Sequence, residues 1–454
     1  MVDNFFRPKS VAIIGASANS KKLGNNILVN FKRNFKGKIY PVNINETIIE
    51  GLKTYGSVQD INDKVDLAVV VVPANVANRV VEDCARSGIK SIIIITAGYR
   101  ESGSDGIILE NRLKNIIKTD DVRVIGPNCI GVLDTYSGVD TIFSPYERME
   151  RPFKGKISVI SQSGSFGTAF LDWCAENKIG INKFVSFGNR VDVDECNLID
   201  SFSKDKNTDL IVVYLEGPKN GRELMKSLKA TTKNKPVIVL KAGKSDKGAK
   251  AAASHTGTLA GSYNIFSSAM RQVGATEART LDELFDFTKV LNKQRPAKGD
   301  RVAIVTNGGG YGVLSADACI HEGLHLAKFS HSNVEIIKKT MPRFAGVHNP
   351  LDLIGDATEE RFDVALSALS KDKNVDIIVV FLWALGTTLD SGVVDIISRI
   401  AEKTKKPIIC GGVGSRYTTD MLLRLESSGI PTFPTPWRAM KAAKVLSDYG
   451  KVKK

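Results

Sequence analysis

Lys156-Ile157-Ser158-Val159-Ile160-Ser161-Gln162-Ser163-Gly164-Ser165-Phe166-Gly167 is a short apolar run that breaks into a Ser/Gly turn and then into a helix-like stretch. Such a run, rich in β-branched residues and closed by glycine, reads as a strand buried on both faces of a parallel sheet. The pattern returns at Arg301-Val302-Ala303-Ile304-Val305-Thr306-Asn307-Gly308-Gly309-Gly310-Tyr311-Gly312. Two further anchors follow in the same order. Asp209–Leu215 parallels Asp376–Leu382, and Lys235–Val239 parallels Lys406–Cys410. Three ordered matches indicate an internal duplication of flavodoxin-like units.

Upstream, the signal is the same with different turns. Val11–Ile14 leads into Gly15, Leu67–Val72 into Pro73, and Ser91–Ile95 into Thr96-Ala97-Gly98. The expected class is therefore α/β, with a doubly wound, Rossmann-like block over residues 1–150. Flavodoxin-like blocks are expected over 151–293 and 299–454, joined near Lys293–Gly299, a polar stretch containing Pro296.

The chain has 454 residues, enough for about three domains. Hydrophobic residues make up 43%, charged residues 25% and aromatic residues 7%. This is the composition of a globular chain, and it excludes disordered, fibrous and membrane-spanning classes. No run of about 18 apolar residues occurs, and the start lacks a signal-peptide core. The six cysteines form no Cys-x-x-Cys pair. That pattern fits reduced thiols in a cytoplasmic protein, with no metal site. The net charge of +14 suits an anionic partner. The lysines are scattered and no zinc-finger or aromatic-studded motif is present, which argues for a phosphorylated small ligand and against nucleic acid.

Gly15-Ala16-Ser17 after the first strand invites a dinucleotide reading, but Gly-x-Gly-x-x-Gly would need glycine where Ser17 and Ser20 stand. The second strand also ends in Pro41-Val42-Asn43 without the acid that grips a ribose, so a nicotinamide oxidoreductase is disfavoured. A wider turn beside Lys21 and Lys22 suits a nucleotide with several phosphates. The alternative is an unliganded turn. Ala242-Gly243-Lys244-Ser245 ends like a P-loop, but Ile238 stands where that motif begins with glycine. Ser163-Gly164-Ser165 and Gly308-Gly309-Gly310 each open a helix, where free N–H groups and the macrodipole favour an anion. Two such turns could hold one phosphate.

The two copies differ where chemistry would sit. After equivalent strands one copy has Glu216 and the other Trp383, and only the first carries a histidine like His255, in Ser254-His255-Thr256-Gly257. An imidazole can take a phosphoryl group and release it, with a carboxylate holding its other nitrogen. Glu216 is the candidate carboxylate. A satisfied structural histidine is the plainer alternative, and His348 is read that way.

Together these segments resemble the NDP-forming acyl-CoA synthetases, near the α subunit of the ADP-forming acetyl-CoA synthetases and more distantly succinyl-CoA synthetase. The matching stretches are Ser10–Ser17, Tyr40–Asn43, Val72-Pro73-Ala74, Gly126-Pro127-Asn128, Ser161–Gly167, Glu216-Gly217, Gly243–Gly261, Thr306–Gly312 and Asn349–Leu353. The resemblance implies that the first block binds coenzyme A, with Gly15, Ala16, Ser17 and Lys22 near its phosphates and Asn43 and Pro73 around its nucleotide. It implies phosphate at Ser163, Gly164, Ser165, Gly309 and Gly310. His255 would be the phosphorylated residue and Glu216 its stabiliser. The implied reaction converts acyl-CoA, ADP and phosphate to acid, ATP and CoA. The family's ATP-grasp domain has no counterpart here, which implies a separate β subunit, an α2β2 assembly, and ADP/ATP with Mg²⁺ mainly on that partner. The rival expectation is a non-catalytic CoA- or acyl-CoA-sensing scaffold descended from the enzyme. The acid itself is not readable from the sequence.

Overall fold

The apolar runs become strands because a parallel ladder covered on both faces has no place for water. The computed structural model describes residues 2–250 and 262–453. It divides into two compact units, 1–277 and 278–454.

The first unit holds two large sheets and a small two-stranded ribbon, Ile48–Ile49 against Leu52–Lys53. Sheet I contains β1 (Ser10–Ile14), β2 (Lys38–Val42), β3 (Leu67–Val70), β4 (Ser91–Ile94) and β5 (Arg123–Ile125), ordered β2-β1-β3-β4-β5 and parallel throughout. Every residue of β1, β3 and β4 is buried. Sheet II contains β6 (Gly131–Asp134), β7 (Val139–Asp140), β8 (Lys154–Ser161), β9 (Ile181–Ser186), β10 (Leu210–Leu215), β11 (Val237–Lys241) and β12 (Thr276–Ala278). Its order is β12-β11-β10-β8-β9-β6-β7.

The β6–β7 hairpin was not foreseen. It precedes the second run, yet β6 pairs antiparallel with β9, from Gly131 opposite Ser186 to Asp134 opposite Lys183. A buried ion pair fixes it. Arg151 Nε lies 2.9 Å from Asp140 Oδ2, with Arg151 6% and Asp140 1% exposed at the side chain. Arg151 also donates to the carbonyls of Met149 and Ser144, so its guanidinium is well used.

The second unit carries sheet III: β13 (Arg301–Thr306), β14 (His325–Leu326), β15 (Leu351–Asp352), β16 (Ile377–Leu382), β17 (Ile408–Gly412) and β18 (Thr432–Phe433). Its path is β14-β13-β16-β17-β18, with β15 pairing β13. The helix Leu281–Lys293, expected at the close of the second block, is pinned within this unit. Asp286 forms a bidentate pair with Arg438 at 2.7 Å, and Lys289 meets Glu426 at 2.7 Å.

The duplication is visible in strand order. Sheet II without its hairpin runs β9-β8-β10-β11-β12, and sheet III runs β14-β13-β16-β17-β18. Both are the flavodoxin order 2-1-3-4-5. Equivalent rings also pack alike. Phe166 stacks on Tyr214 with centroids 4.1 Å apart, and Tyr311 lies 4.8 Å from Phe381.

Replacing Arg151 by leucine strands the Asp140 carboxylate in the interior and should cost roughly 3–5 kcal/mol of stability in urea unfolding at neutral pH. Burial already holds the Asp140 carboxyl above its ordinary range, with the Arg151 charge opposing that rise. Loss of the arginine raises it further. A carboxyl raised in the folded state costs stability that accrues as pH rises from its unfolded to its folded value, so the deficit of the variant should be full above the folded value and shrink as pH falls below it. A deficit independent of pH would show that Asp140 is not the cause.

Candidate active site at the carboxyl ends of the strands

Parallel strands deliver their following turns to one edge, and the residues singled out in the first unit gather there. Gly15 closes β1 with φ +95°, a region glycine enters freely. A Cβ on it would lie 2.6 Å from the Val71 carbonyl oxygen, so the turn is closed tightly against the end of β3. Asn43, just past β2, donates from Nδ2 to the Ala16 carbonyl at 2.7 Å. Ser17 is buried, and its Oγ accepts the Asn19 N–H at 3.2 Å. Lys22 is exposed and precedes the helix Leu23–Asn34 as its extended N-cap. Gly15, Ala16, Ser17, Lys22 and Asn43 thus form one rim.

Pro73 caps the helix Ala74–Arg86 and lines a cavity of about 560 Å³. Across that cavity stand Ser163, Gly164 and Ser165, with Thr96, Asn128 and Gln162 on its walls. The turn Ser163–Ser165 opens the helix Gly164–Glu176. Ser163 Oγ accepts the Phe166 N–H at 3.3 Å and lies 3.2 Å from Ser165 Oγ. Ser161 Oγ holds the Ser163 carbonyl at 2.6 Å. The cavity therefore joins the turns of sheet I to a helix start on sheet II.

Glu216 is 8% exposed and follows β10. Its N–H donates to Gln162 Oε1 at 2.9 Å, which ties it to the wall of the same cavity. The neighbouring Tyr214 hydroxyl is pushed up to about 12, first by burial and then by the Glu216 charge. Lys241, 1% exposed, donates to the Glu216 carbonyl at 3.3 Å. Burial and the nearby Lys244 charge lower its pKa, while Glu216 opposes them.

Gly309 and Gly310 open the helix Gly309–His321 in the second unit, behind the N-cap Gly308. A Cβ on Gly309 would lie 2.8 Å from Asp352 Oδ2, whereas Gly310 has nothing within 4 Å. His255 lies outside the described residues. Among the described residues, no group of three or more His, Cys, Asp or Glu is placed to hold a metal ion, and no helix is long and apolar enough to cross a membrane.

Sequence reading missed Gln162, Arg190 and Lys241 as parts of this region. Arg190 is 6% exposed, has φ +49°, and donates from Nη1 to the Gly217 carbonyl at 2.7 Å. Its signal was available in Gly188-Asn189-Arg190, a glycine turn after β9. A Cβ on Gly188 would lie 2.2 Å from the Asn128 carbonyl oxygen, so this turn presses on the first-sheet loops. Another cavity, of about 670 Å³, lies around Phe6, Arg7, Arg123 and Lys183. Three of its cations pair with acids, Arg123 with Asp192 and both Arg7 and Lys183 with Asp205.

Comparison with known proteins agrees with this layout. The family models described as CoA binding domain, succinyl-CoA ligase like flavodoxin domain and ligase-CoA domain match residues 9–135, 154–291 and 302–437. An ADP-forming acetate–CoA ligase I of Archaeoglobus fulgidus is 41% identical over 99% of this chain, which spans 64% of that protein's length. The α subunit of acetate–CoA ligase [ADP-forming] I of Pyrococcus furiosus is 40% identical, covering 100% of this chain and 98% of that one. Acetyl-coenzyme A synthetase 1 of Candidatus Korarchaeum cryptofilum, solved with phosphate and ADP, superposes with a TM-score of 0.94 at 36% identity, covering 100% of this chain and 97% of that one.

Removing the cap with Ser163→Ala should lower stability by about 1 kcal/mol in urea unfolding, since one first-turn N–H loses its partner. An unchanged midpoint would mean that water serves Phe166 equally well.

Proposed function

Because this chain belongs to the ADP-forming acetate–CoA ligase family, we propose that it is the α subunit of an acid–CoA ligase that forms ATP from acyl-CoA, phosphate and ADP. The observation that carries this reading is the shared cavity. Pro73 from the CoA-binding region and the helix start at Ser163–Ser165 line the same space. CoA on the rim of sheet I would bring its thioester toward that helix start, with Gly15, Ala16, Ser17 and Lys22 near its phosphates and Asn43 and Pro73 around its nucleotide.

The chemistry follows from charge. Phosphate attacks the thioester carbonyl, the C–S bond breaks, and the products are acyl phosphate and CoA thiolate. The free N–H groups of the first helical turn and the hydroxyls of Ser163 and Ser165 are donors for the phosphoryl oxygens. Gly309–Gly310 is assigned as a second anion-binding turn, in the second unit. The acyl phosphate then loses its phosphoryl group to an imidazole nitrogen of His255, and the carboxylate leaves. Glu216 is assigned the other ring nitrogen, where a carboxylate stabilises the charged ring. His255 passes the phosphoryl group to ADP. The nucleotide and Mg²⁺ are assigned to an ATP-grasp β subunit in an α2β2 assembly. The setting is the cytoplasm, in keeping with six free cysteines, five of them buried.

The isolated chain should bind CoA in a calorimetric titration yet make no ATP. With the partner, ATP and Mg²⁺ it should gain an acid-labile phosphate, and His255→Ala should gain none. A labelled His255→Ala chain would remove His255 from the scheme. Glu216→Gln weakens a charge-assisted hydrogen bond of roughly 1.5–3 kcal/mol, so the phosphoenzyme lifetime should fall at least about tenfold. A panel of acyl-CoAs assayed with the reconstituted pair identifies the acid.

A further inference from the structure

The backbone that carries Glu216 is gripped from three separate segments of the chain. Gln162 Oε1 takes the Glu216 N–H at 2.9 Å. Lys241 Nζ donates to the carbonyls of Glu216 at 3.3 Å, Ala242 at 2.9 Å and Gly243 at 3.3 Å. An ammonium has three N–H donors, and three carbonyls are provided, all in the turns that leave β10 and β11. Arg190 Nη1 donates to the Gly217 carbonyl at 2.7 Å while paired with the fully buried Glu195 at 3.2 Å. The same Glu195 accepts the Lys219 N–H at 2.7 Å, which anchors the turn beyond Gly217. Arg190 itself sits in left-handed backbone, a conformation kept only where surrounding contacts enforce it.

The third sheet serves as an internal control. Strand pairing places Leu215 opposite Lys241 and Leu382 opposite Gly412, so Gly412 occupies the register of Lys241 and Trp383 that of Glu216. There Asn307, the counterpart of Gln162, does all the holding. Its Oδ1 accepts the Trp383 N–H and its Nδ2 donates to the Trp383 carbonyl, both at 2.9 Å. Among the described residues, the fold thus closes this turn with one amide side chain and no cation. A buried lysine is costly to desolvate, so its presence in the copy that carries an acid calls for a reason beyond folding.

We propose that Lys241 and Arg190 are positioning residues for Glu216, two buried cations, one ending β11 and one in the turn after β9, that fix the Glu216–Gly217 backbone and hence the aim of the carboxylate. This rests on the role given to Glu216 above, and two measurements separate the two ideas. The first needs no reaction. Hydrogen exchange in the full chain, followed in peptides spanning residues 210–220, should accelerate locally by about tenfold or more in Lys241→Met. Gln162→Met, which removes the N–H acceptor without leaving a buried charge, should accelerate the same peptides and covers the case in which Lys241→Met fails to fold. Unchanged exchange overturns the clamp. The second is a double-mutant cycle on phosphoenzyme lifetime with the partner present. Lys241→Met, or Gln162→Met in its place, should shorten the lifetime about fivefold or more with Glu216 intact, and by less than about twofold with Glu216→Gln. Equal shortening in both backgrounds overturns action through Glu216. A wild-type chain that takes no phosphate refutes the functional reading instead, and exchange then decides the clamp alone.

Discussion

A parallel sheet buried on both faces admits almost nothing but apolar side chains along its strands, and the rest of this molecule is arranged around that restriction. Every strand residue from Val302 to Thr306 and from Ile377 to Leu382 is buried. Apart from a few buried groups such as Ser158, Asn182 and Lys183, polar side chains gather at the strand ends, where the chain turns into helices and backbone N–H and carbonyl groups lose their ladder partners. Each such group must then be met by something else. At the carboxyl edge of the first unit these needs are met by Asn43, Ser161, Gln162, Arg190 and Lys241. The same need that closes the turns also gathers hydrogen-bond donors at this edge.

Duplication shows how little must change to specialise such an edge. Ser161 and Thr306 both hold the carbonyl two residues on, Phe166 and Tyr311 pack on equivalent rings, and Gln162 and Asn307 both accept the N–H that follows the next strand. Upon this common frame, one copy sets Glu216 and Lys241, the other Trp383 and Gly412. A Cβ at Gly412 would lie 3.0 Å from the Leu382 carbonyl oxygen and 3.2 Å from Thr418, so the third sheet has little room for a lysine at that register. The copies diverge at side chains and agree in backbone.

Much of this was readable before any coordinates. The β-branched runs, their glycine turns and the repeated anchors give the α/β class and the equivalence of the two later sheets, because period and burial are local properties of a strand. The rim at Gly15–Ser17 and the helix start at Ser163–Ser165 were legible for the same reason. What stayed hidden depends on partners far along the chain. Lys241 reads as an ordinary charge ending an apolar run, and nothing nearby says that its donors reach the carbonyl of residue 216. Arg190 similarly looks like a surface arginine until Glu195 and Gly217 close over it. The short hairpin strands Gly131–Asp134 and Val139–Asp140 carry too few residues to announce themselves, and the pairing of the first with β9 spans some fifty residues.

That hairpin has a bearing on how the gene can be cut. Its residues come between the two sheets of the first unit in the chain, but it shields the flank of the later one. A recombination breakpoint within the hairpin, or between Asp140 and the start of β8, would part sheet II from its own edge strands and leave β9 without its native cover, open to pairing with stray strands. Workable exchanges of the nucleotide-binding portion among relatives should therefore keep residues 131–140 with the downstream piece, whatever the outward resemblance of the modules suggests.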